Sequence, residues 1–122
     1  MSHILILGED AQTLNMIRKI LEPKGYEVVV AFNGNEGISL YREAPTDLII
    51  TDLNLYETES LESIVELRQD FPEVKIIAVS GGLQLLSKLC LSLADNFGAN
   101  YTFTKPVERE ELLNAVEELL SQ

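Results

Sequence analysis

One stretch decides the fold: residues 48–52, with the sequence LIITD, form an apolar run that ends in the acid Asp52. Three other short apolar runs, at residues 4–7, 76–79 and 101–104, also lead directly into polar residues. Near-continuous apolar runs of this length are typical of strands that are buried on both faces of a parallel sheet. If these runs are parallel strands, their polar followers meet at one edge of the sheet. That edge, outside the carboxyl ends of the strands, is where open α/β sheets bind ligands.

Longer amphipathic segments alternate with the short runs along the chain. Strands are predicted near residues 4–7, 26–31, 47–51, 75–79 and 100–103. Apolar residues at helical spacing, bounded by proline and glycine, predict helices over residues 11–22, 34–43, 58–69, 83–97 and 107–120. Parallel strands need crossover connections, and those crossovers are right-handed. The sequence therefore predicts an α/β protein with a (βα)5 doubly wound, five-stranded parallel sheet and helices on both faces, although the pattern leaves the strand order open.

The composition indicates a single acidic domain. The chain has 122 residues, 46% of them hydrophobic, and a formal net charge of -11. A length of this size predicts one domain over residues 1–122. The negative charge repels phosphate backbones and anionic lipid, so direct binding to nucleic acid or to a membrane surface is not expected.

Cysteine and histidine each occur once. Cys90 cannot form an internal disulfide, so a reducing, cytoplasmic location is expected, and its apolar surroundings in the sequence favour inert core packing. His3 has no serine or cysteine motif around it and is not expected to be catalytic. No apolar run approaches the roughly 20 residues that a membrane helix needs, and the first residues lack the features of a signal peptide.

Acids, a lysine and a hydroxyl follow the predicted strands. Glu9 and Asp10 follow the first strand, and Asp52 ends the third. Hard oxygen ligands of this kind suit Mg²⁺, which takes one or two carboxylates and keeps several waters. Lys105 adds a fixed positive charge, and Ser80 adds a hydroxyl. The combination suits a phosphoryl group, and a carboxylate can be the nucleophile that accepts it.

Over its whole length, the chain resembles the receiver (CheY-like) domain of two-component response regulators. The matching pieces are ILILGED at residues 4–10, KGYEV at 24–28, DLIITDLN at 47–54, SG at 80–81 and GANYTFTKP at 98–106. Each piece alone is weak, but the pieces occur in the family's order and at its separations. The resemblance implies a flavodoxin-like fold and a signalling domain. It does not imply an enzyme, since a receiver catalyses no more than its own phosphorylation and dephosphorylation.

The resemblance also implies a phosphoacceptor with a metal ion. Asp52 would accept a phosphoryl group from a phosphohistidine on a sensor histidine kinase or a phosphotransfer protein. Mg²⁺ would be held by Asp52, by Glu9 and by the backbone carbonyl of Asn54. Asp10 falls one place beyond the family's acidic pair and is expected to point elsewhere, unless a local shift brings it to the metal.

The resemblance gives three further residues a role in signalling. Ser80 and Lys105 would contact the acquired phosphate, and Tyr101 would change rotamer together with Ser80. The face formed by the predicted helix over residues 83–97, the last strand and the last helix would carry the signal. Residues 83–121 are therefore the expected surface for an output partner or for a homodimer.

Departures from the family pattern leave an alternative open. Gly8 replaces the first acid after the first strand, and Glu9, one methylene longer than the usual aspartate, replaces the second. The proline and glycine that usually follow the phosphoacceptor are replaced by Tyr56 and Ser60. The loss of one carboxylate is expected to weaken Mg²⁺ binding. The alternative function is therefore that of a pseudo-receiver, which binds partner proteins without being phosphorylated.

Two observations weigh the alternatives against each other. Retention of Asp52, Ser80 and Lys105 favours the phosphorylated receiver over the pseudo-receiver. A small flavin or nucleotide binder is a more distant alternative, because no Gly-rich or Ser/Thr-rich phosphate loop follows the first strand. The acids in that place would instead repel a phosphate.

Several candidate residues also have purely structural interpretations. Asp10 can complement the dipole of the first helix. Ser80 can cap the helix that follows it, and Tyr101 can be a surface aromatic that does not switch. The leucines at residues 83–97 form either a wide buried stripe or an exposed patch for dimerisation or partner docking.

Overall fold

A computed structural model describes residues 2–53, 58–81, 92, 96 and 98–122, with the backbone alone for residues 58–61. Within these residues, five strands and four α-helices alternate along the chain. The strands are β1 (His3–Leu7), β2 (Glu27–Ala31), β3 (Leu48–Leu53), β4 (Ile76–Ser80) and β5 (Tyr101–Thr104). The helices are α1 (Ala11–Leu21), α2 (Gly34–Glu43), α3 (Thr58–Asp70) and α4 (Arg109–Leu120), and a short 3₁₀ helix (Glu22–Lys24) follows α1.

Some sequence predictions lie outside the described residues. They are the helix over residues 83–97 with its leucines and Cys90, apart from Ser92 and Asn96, which are helical, and also the backbone carbonyl of Asn54 expected to bind the metal and the side chains of Tyr56 and Ser60. Among the helices that are described, none has the length and apolar character needed to span a bilayer.

All neighbouring strands in the sheet are parallel, in the order β2-β1-β3-β4-β5. The chain moves outward from β1 to β2, then returns past β1 to β3 and continues in the other direction. This order confirms the predicted doubly wound α/β fold. It also makes the gap between β1 and β3 the topological switch point, outside which ligands bind in such sheets. Asp52, near the end of β3, therefore lies beside the residues that follow β1.

Local sequence signals set both ends of α1. Asp10 is the N-cap, and its side chain accepts a hydrogen bond from the backbone N–H of Gln12. Such a cap satisfies one of the free N–H groups of the first turn. The helix ends at Leu21 because Pro23, in the following 3₁₀ turn, cannot donate a further helical hydrogen bond. Gly25 closes that turn with φ of 91°, a conformation that favours glycine.

The last helix begins two residues later than predicted. The prediction used Pro106 as the start signal, but α4 starts at Arg109. Glu108 is its N-cap, and the carboxylate accepts hydrogen bonds from the N–H groups of Glu110 and Glu111. The acidic run in this segment therefore has a structural role at the positive end of the helix dipole.

The strands separate two hydrophobic clusters. One face of the sheet packs against α1 and α4, with Leu14, Ile17, Ile50, Leu112 and Val116 among its buried residues. The other face packs against α2 and α3, with Leu5, Ile49, Ile64, Leu67 and Ala78 among its buried residues. Because side chains alternate along a strand, membership of a cluster identifies the face toward which each strand position points.

At the edge of the sheet opposite Asp52, Arg68 of α3 holds the segment that enters β5. Its guanidinium donates to the carbonyl oxygens of Pro72 (2.8 Å) and Gly98 (2.7 Å) and to Oδ1 of Asn100 (3.0 Å). The same Asn100 oxygen accepts a hydrogen bond from the N–H of Ile76 at 2.8 Å. Gly98 has φ of 116°, and a Cβ there would lie 3.1 Å from both Cγ and Nε of Arg68. Arg68 thus joins α3, β4 and the entry to β5.

Candidate functional site

Asp52 and Lys105 form an ion pair at the carboxyl edge of the sheet. The Lys105 Nζ lies 2.9 Å from the Asp52 Oδ1, and the Asp52 side chain is only 5% exposed. The backbone N–H of Lys105 donates to the carbonyl oxygen of Ser80 at 2.8 Å, which places Lys105 directly after β5. Its aliphatic chain lies against Gly81, where an added Cβ would be 2.6 Å from the Lys105 Cδ. The predicted meeting of Asp52 and Lys105 is therefore present in the structure.

The environment of Asp52 disfavours its charge. Burial raises the pKa of the Asp52 carboxyl above its ordinary value, and the hydrogen bond and charge of Lys105 offset part of that increase. A buried carboxylate is costly unless cations neutralise it. The site is therefore suited to binding a further positive charge, such as a metal ion, beside Asp52.

Asp10 is the second acid near Lys105. Its Oδ2 lies 3.6 Å from the Lys105 Nζ and also accepts a hydrogen bond from the Thr13 hydroxyl at 2.6 Å. These contacts lower the pKa of Asp10, the Thr13 hydrogen bond most strongly, while partial desolvation opposes them. Asp10 is the N-cap of α1, so its charge lies at the positive end of the helix dipole, as its structural interpretation predicted. Its contact with Lys105 was not predicted from the sequence.

Gly8 allows a close approach between β1 and Asp52. A Cβ added at Gly8 would lie 2.7 Å from the Cβ of Asp52, a separation that real Cβ atoms do not adopt. Glu9, the next residue, is exposed. In the part of the chain that the structure describes, no three histidine, cysteine, aspartate or glutamate side chains form a group that could hold a metal ion. The structure thus brings Asp52 and Asp10 to Lys105 without gathering Glu9 into a cluster of three acids.

Mg²⁺ does not require such a cluster, because it is usually bound by one or two carboxylates and keeps several waters. Asp52 offers a desolvated carboxylate at the switch point, and Glu9 follows β1 at the neighbouring strand end. This oxygen donor set fits the ion, although it has one acid fewer than the expected family pattern.

The predicted coupling between Tyr101 and Ser80 needs correction. Register pairs Ser80 with Thr104, and Tyr101 with Ile77. Ile77 belongs to the cluster beneath α1 and α4, and Tyr101 packs against that cluster. Ser80 is separated from Ile77 by an odd number of positions and so points toward the opposite face. The side chains of Tyr101 and Ser80 therefore lie on different faces, and a shared rotamer change has no contact to carry it.

Two threonines of β5, and not Tyr101, lie on the face toward which Ser80 points. Thr102 and Thr104 alternate with Tyr101 along β5, and their register partners are Ala78 and Ser80. They thus share the face of Ser80. The period-two alternation of β5 contained this information, because Tyr101 and Phe103 are the aromatic positions and the threonines lie between them.

Tyr101 instead interacts with α4. Its ring stacks on that of Phe103 with centroids 6.4 Å apart, and its hydroxyl donates to the carboxylate of Glu118. That hydrogen bond is the main reason why the pKa of Tyr101 is raised, because ionised tyrosine could no longer donate to an anion.

A substitution at Glu118 tests this partnership. Glu118→Gln is expected to lower the pKa of Tyr101 toward its ordinary value, measured by the pH dependence of its ring ¹³Cζ resonance. Glu117→Gln removes the same charge from the neighbouring position and should instead lower the pKa of Tyr26, which Glu117 raises. An unchanged Tyr101 titration in Glu118→Gln would contradict the assignment.

A groove runs from Lys105 along α1. Its volume is about 840 Å³, and α1, Pro106 and the first residue of α4 line it. Lys19, Lys105 and Arg109 contribute positive charges to this groove and Asp10 a negative one, although the whole chain has a net charge of -11. The groove is therefore a cationic surface directly beside the Asp52 ion pair.

A parallel sheet of this order, with an aspartate at its switch point, places the protein in the flavodoxin-like class of α/β folds. Within that class, residues 4–117 match the family described as the response regulator receiver domain, and the chain belongs to this family. The function of the family is to accept a phosphoryl group on an aspartate in two-component signal transduction, and its members generally bind Mg²⁺ at the phosphorylation site.

Known proteins similar to the chain differ in length. Chemotaxis protein CheY from Bacillus subtilis (strain 168) is 29% identical over 124 residues, which cover 99% of the chain and 100% of CheY. Transcriptional regulatory protein GlrR from Escherichia coli (strain K12) is 26% identical over 121 residues, 99% of the chain but 27% of GlrR. A crystal structure of a response regulator receiver domain protein (CheY-like) from Methanospirillum hungatei JF-1 has a TM-score of 0.85 and 30% identity, covering 99% of the chain and 94% of that protein.

The chain spans between about a quarter and a half of the first transcriptional regulators that it matches. It therefore corresponds to a part that regulators of several lengths share. The activity and partners of those longer proteins do not follow for this chain from the similarity.

Proposed function

We propose that Asp52 is the phosphoacceptor of a single receiver domain over residues 1–122. The observation that carries this assignment is the buried Asp52 carboxylate, 2.9 Å from the Lys105 ammonium at the switch point of the sheet. A nucleophilic carboxylate needs a neighbouring cation that can stabilise the charge of an incoming phosphoryl group. Lys105 meets that need without blocking the second carboxylate oxygen.

In the proposed reaction, an Asp52 oxygen attacks the phosphorus of a phosphohistidine on a sensor histidine kinase or a phosphotransfer protein. The new O–P bond forms as the P–N bond breaks, and the released imidazole takes up a proton from solvent. The product is an aspartyl-phosphate. Lys105 contacts a phosphoryl oxygen as charge develops there. Register pairs Asp52 with Val79, and Ser80 points toward the opposite face, so Ser80 would contact the acquired phosphate only beyond the end of β4. The domain turns over no separate small-molecule substrate.

Asp52, Glu9 and the backbone carbonyl of Asn54 would hold Mg²⁺, and Asp10 is the further acid near the site. When bound, the ion would offset negative charge on the phosphoryl oxygens. The support is the oxygen donor set and the desolvated Asp52 carboxylate, whose charge a cation would stabilise.

The cationic groove along α1 would receive the phosphoryl donor. Lys105 contacts Asp52, and Lys19 and Arg109 add positive charge further along the groove, which Asp10 also lines. The excess of positive charge complements a donor with a phosphorylated histidine. Residues 83–121 would then bind an output partner or a second copy of the chain. Of that surface, β5 and α4 are described, and α4 presents exposed Glu110, Glu111 and Glu118.

The intact mass of the protein after incubation with acetyl phosphate tests the function. With Mg²⁺ present, the protein is expected to gain one phosphoryl group at early times, and Asp52→Ala should gain none. Omission of Mg²⁺ should suppress the gain. If wild type gains no mass at any time while a known receiver does so under the same conditions, the domain is a phosphorylation-independent interaction module instead.

A further inference from the structure

We propose that Asp10 is a positioning residue for Lys105. From the start of α1 it holds the Lys105 ammonium beside Asp52, and Gly8, at the end of β1, provides no carboxylate that could do so. The inference rests on the proposed function, because Lys105 is useful to the reaction only if Asp52 accepts the phosphoryl group. It gives Asp10 a role in addition to capping α1.

Three contacts determine where the Lys105 side chain lies. Its stem lies against Gly81, where even a Cβ would not fit beside it. Its ammonium lies 2.9 Å from the Asp52 Oδ1 and 3.6 Å from the Asp10 Oδ2. The Lys105 side chain is 24% exposed, so solvent reaches the ammonium only in part. Two carboxylates on different elements thus hold one partly buried cation between them.

Asp10 is itself held in place before it meets Lys105. Its Oδ1 accepts from the N–H of Gln12 at 3.1 Å, and its Oδ2 accepts from the Thr13 hydroxyl at 2.6 Å. Thr13 is buried, so its hydroxyl has little freedom to move away. The oxygen that Thr13 orients is the same oxygen that faces Lys105. The N-terminal turn of α1 therefore fixes the position of a negative charge relative to the acceptor site.

This arrangement leaves Lys105 able to serve a phosphoryl group. An ammonium has three donors, and Asp52 and Asp10 engage it from two sides. The longer distance to Asp10 makes that contact the weaker of the two. When Asp52 acquires a phosphoryl group, Lys105 can bond to a phosphoryl oxygen while Asp10 continues to restrain it. Loss of the Asp10 charge would let the ammonium move toward solvent before the transfer.

The experiment compares rates of phosphorylation by acetyl phosphate. Asp10→Asn keeps an N-cap acceptor and removes the charge. The rate is expected to fall about threefold, the size expected for loss of one partly exposed ion pair. Glu43→Gln, at the exposed end of α2, removes one charge far from the site and should leave the rate unchanged. In a Lys105→Met background, Asp10→Asn should cause no further decrease, because Asp10 acts through Lys105.

Equal rates for Asp10→Asn and wild type would overturn the inference, as would the same threefold loss in the Lys105→Met background. A second readout does not depend on phosphorylation. The ¹⁵Nζ resonance of Lys105 should shift in Asp10→Asn and not in Glu43→Gln, and an unchanged resonance in Asp10→Asn would also overturn the inference. If wild type accepts no phosphoryl group, the proposed function fails, and the Lys105 resonance alone decides whether Asp10 positions the lysine.

Discussion

Replacing Lys105 with methionine is expected to lower the free energy of unfolding by about 2 kcal/mol at neutral pH. Methionine keeps most of the aliphatic stem that packs on Gly81, so the loss comes mainly from the charge. Removing one partner of a buried ion pair leaves the other charge buried and uncompensated. The remaining carboxylate, Asp52, is 5% exposed and has the acid Asp10 nearby. Because Lys105 is itself partly exposed, the loss should be smaller than for a fully buried pair.

The loss should depend on pH in a defined direction. Burial already raises the pKa of Asp52, and removal of Lys105 raises it further. In the folded Lys105→Met variant, Asp52 therefore binds a proton at pH values at which Asp52 of the unfolded chain is ionised. The stability of the variant falls as the pH rises through the pKa of Asp52 in the folded state. Acidification below that pKa neutralises Asp52. The difference in stability between Lys105→Met and wild type should therefore shrink as the pH is lowered.

Denaturant unfolding at several pH values measures this effect. The matched control is the double variant Lys105→Met/Asp52→Asn, which removes both charges and should recover most of the lost stability. A deficit that stays constant with pH, or that persists in the double variant, would show that packing of the lysine stem and not the ion pair is responsible.

The second large effect concerns the residue that departs most clearly from the family pattern. Gly8→Asp would nominally restore the missing acid, yet it is expected to lower stability by about 1 to 3 kcal/mol. Its Cβ would lie 2.7 Å from the Cβ of Asp52 and 3.4 Å from the Asp52 carbonyl oxygen. Neither atom is the end of a flexible side chain, so β1 and β3 must separate to make room. The new carboxylate would also repel that of Asp52.

Two glycine variants separate these contributions in denaturant unfolding. Gly8→Ala carries the steric part alone, so the difference between Gly8→Asp and Gly8→Ala measures the charge repulsion. Gly37→Ala is the control, because a Cβ there first meets the Leu7 Cδ2 at 3.1 Å, a flexible end, and alanine favours the helix. Mg²⁺ should reduce the charge part only. If Gly8→Ala were as stable as wild type, the close approach of β1 to Asp52 would not exist in solution.

The fold was predictable because each element carries its own local signal. The apolar run that contains Ile49 has the short length and β-branched content of a buried strand, and the parallel class follows from the helical segments between runs. The strand order was not predicted, because the apolar pattern of a strand does not specify which strands pair with it. The predicted start of α4 was wrong by two residues. The prediction used Pro106 as the start signal, whereas the capping carboxylate of Glu108 sets the start at Arg109.

The site was predictable where it depends on strand ends and on the alternation of side chains, and not where it depends on distances between elements. Asp52 and Lys105 meet because the carboxyl ends of parallel strands share an edge. The contact between Asp10 and Lys105 depends on how α1 is capped, and the space beside Gly8 depends on the separation of two strands. Sequence periodicity contains no such distances. The misassignment of Tyr101 was avoidable, because counting alternate positions along β5 places it on the face of α4.

The contacts of Arg68 at the entry to β5 constrain which residues can occupy positions 68 and 98 during evolution. A planar guanidinium reaches three oxygens that a lysine ammonium on a flexible stem would not match. Its Nε fills the space that a side chain at position 98 would need, and the backbone there also favours glycine. Neither residue can therefore change alone without loss. Positions 68 and 98 should co-vary among relatives, with arginine and glycine inherited together or replaced together.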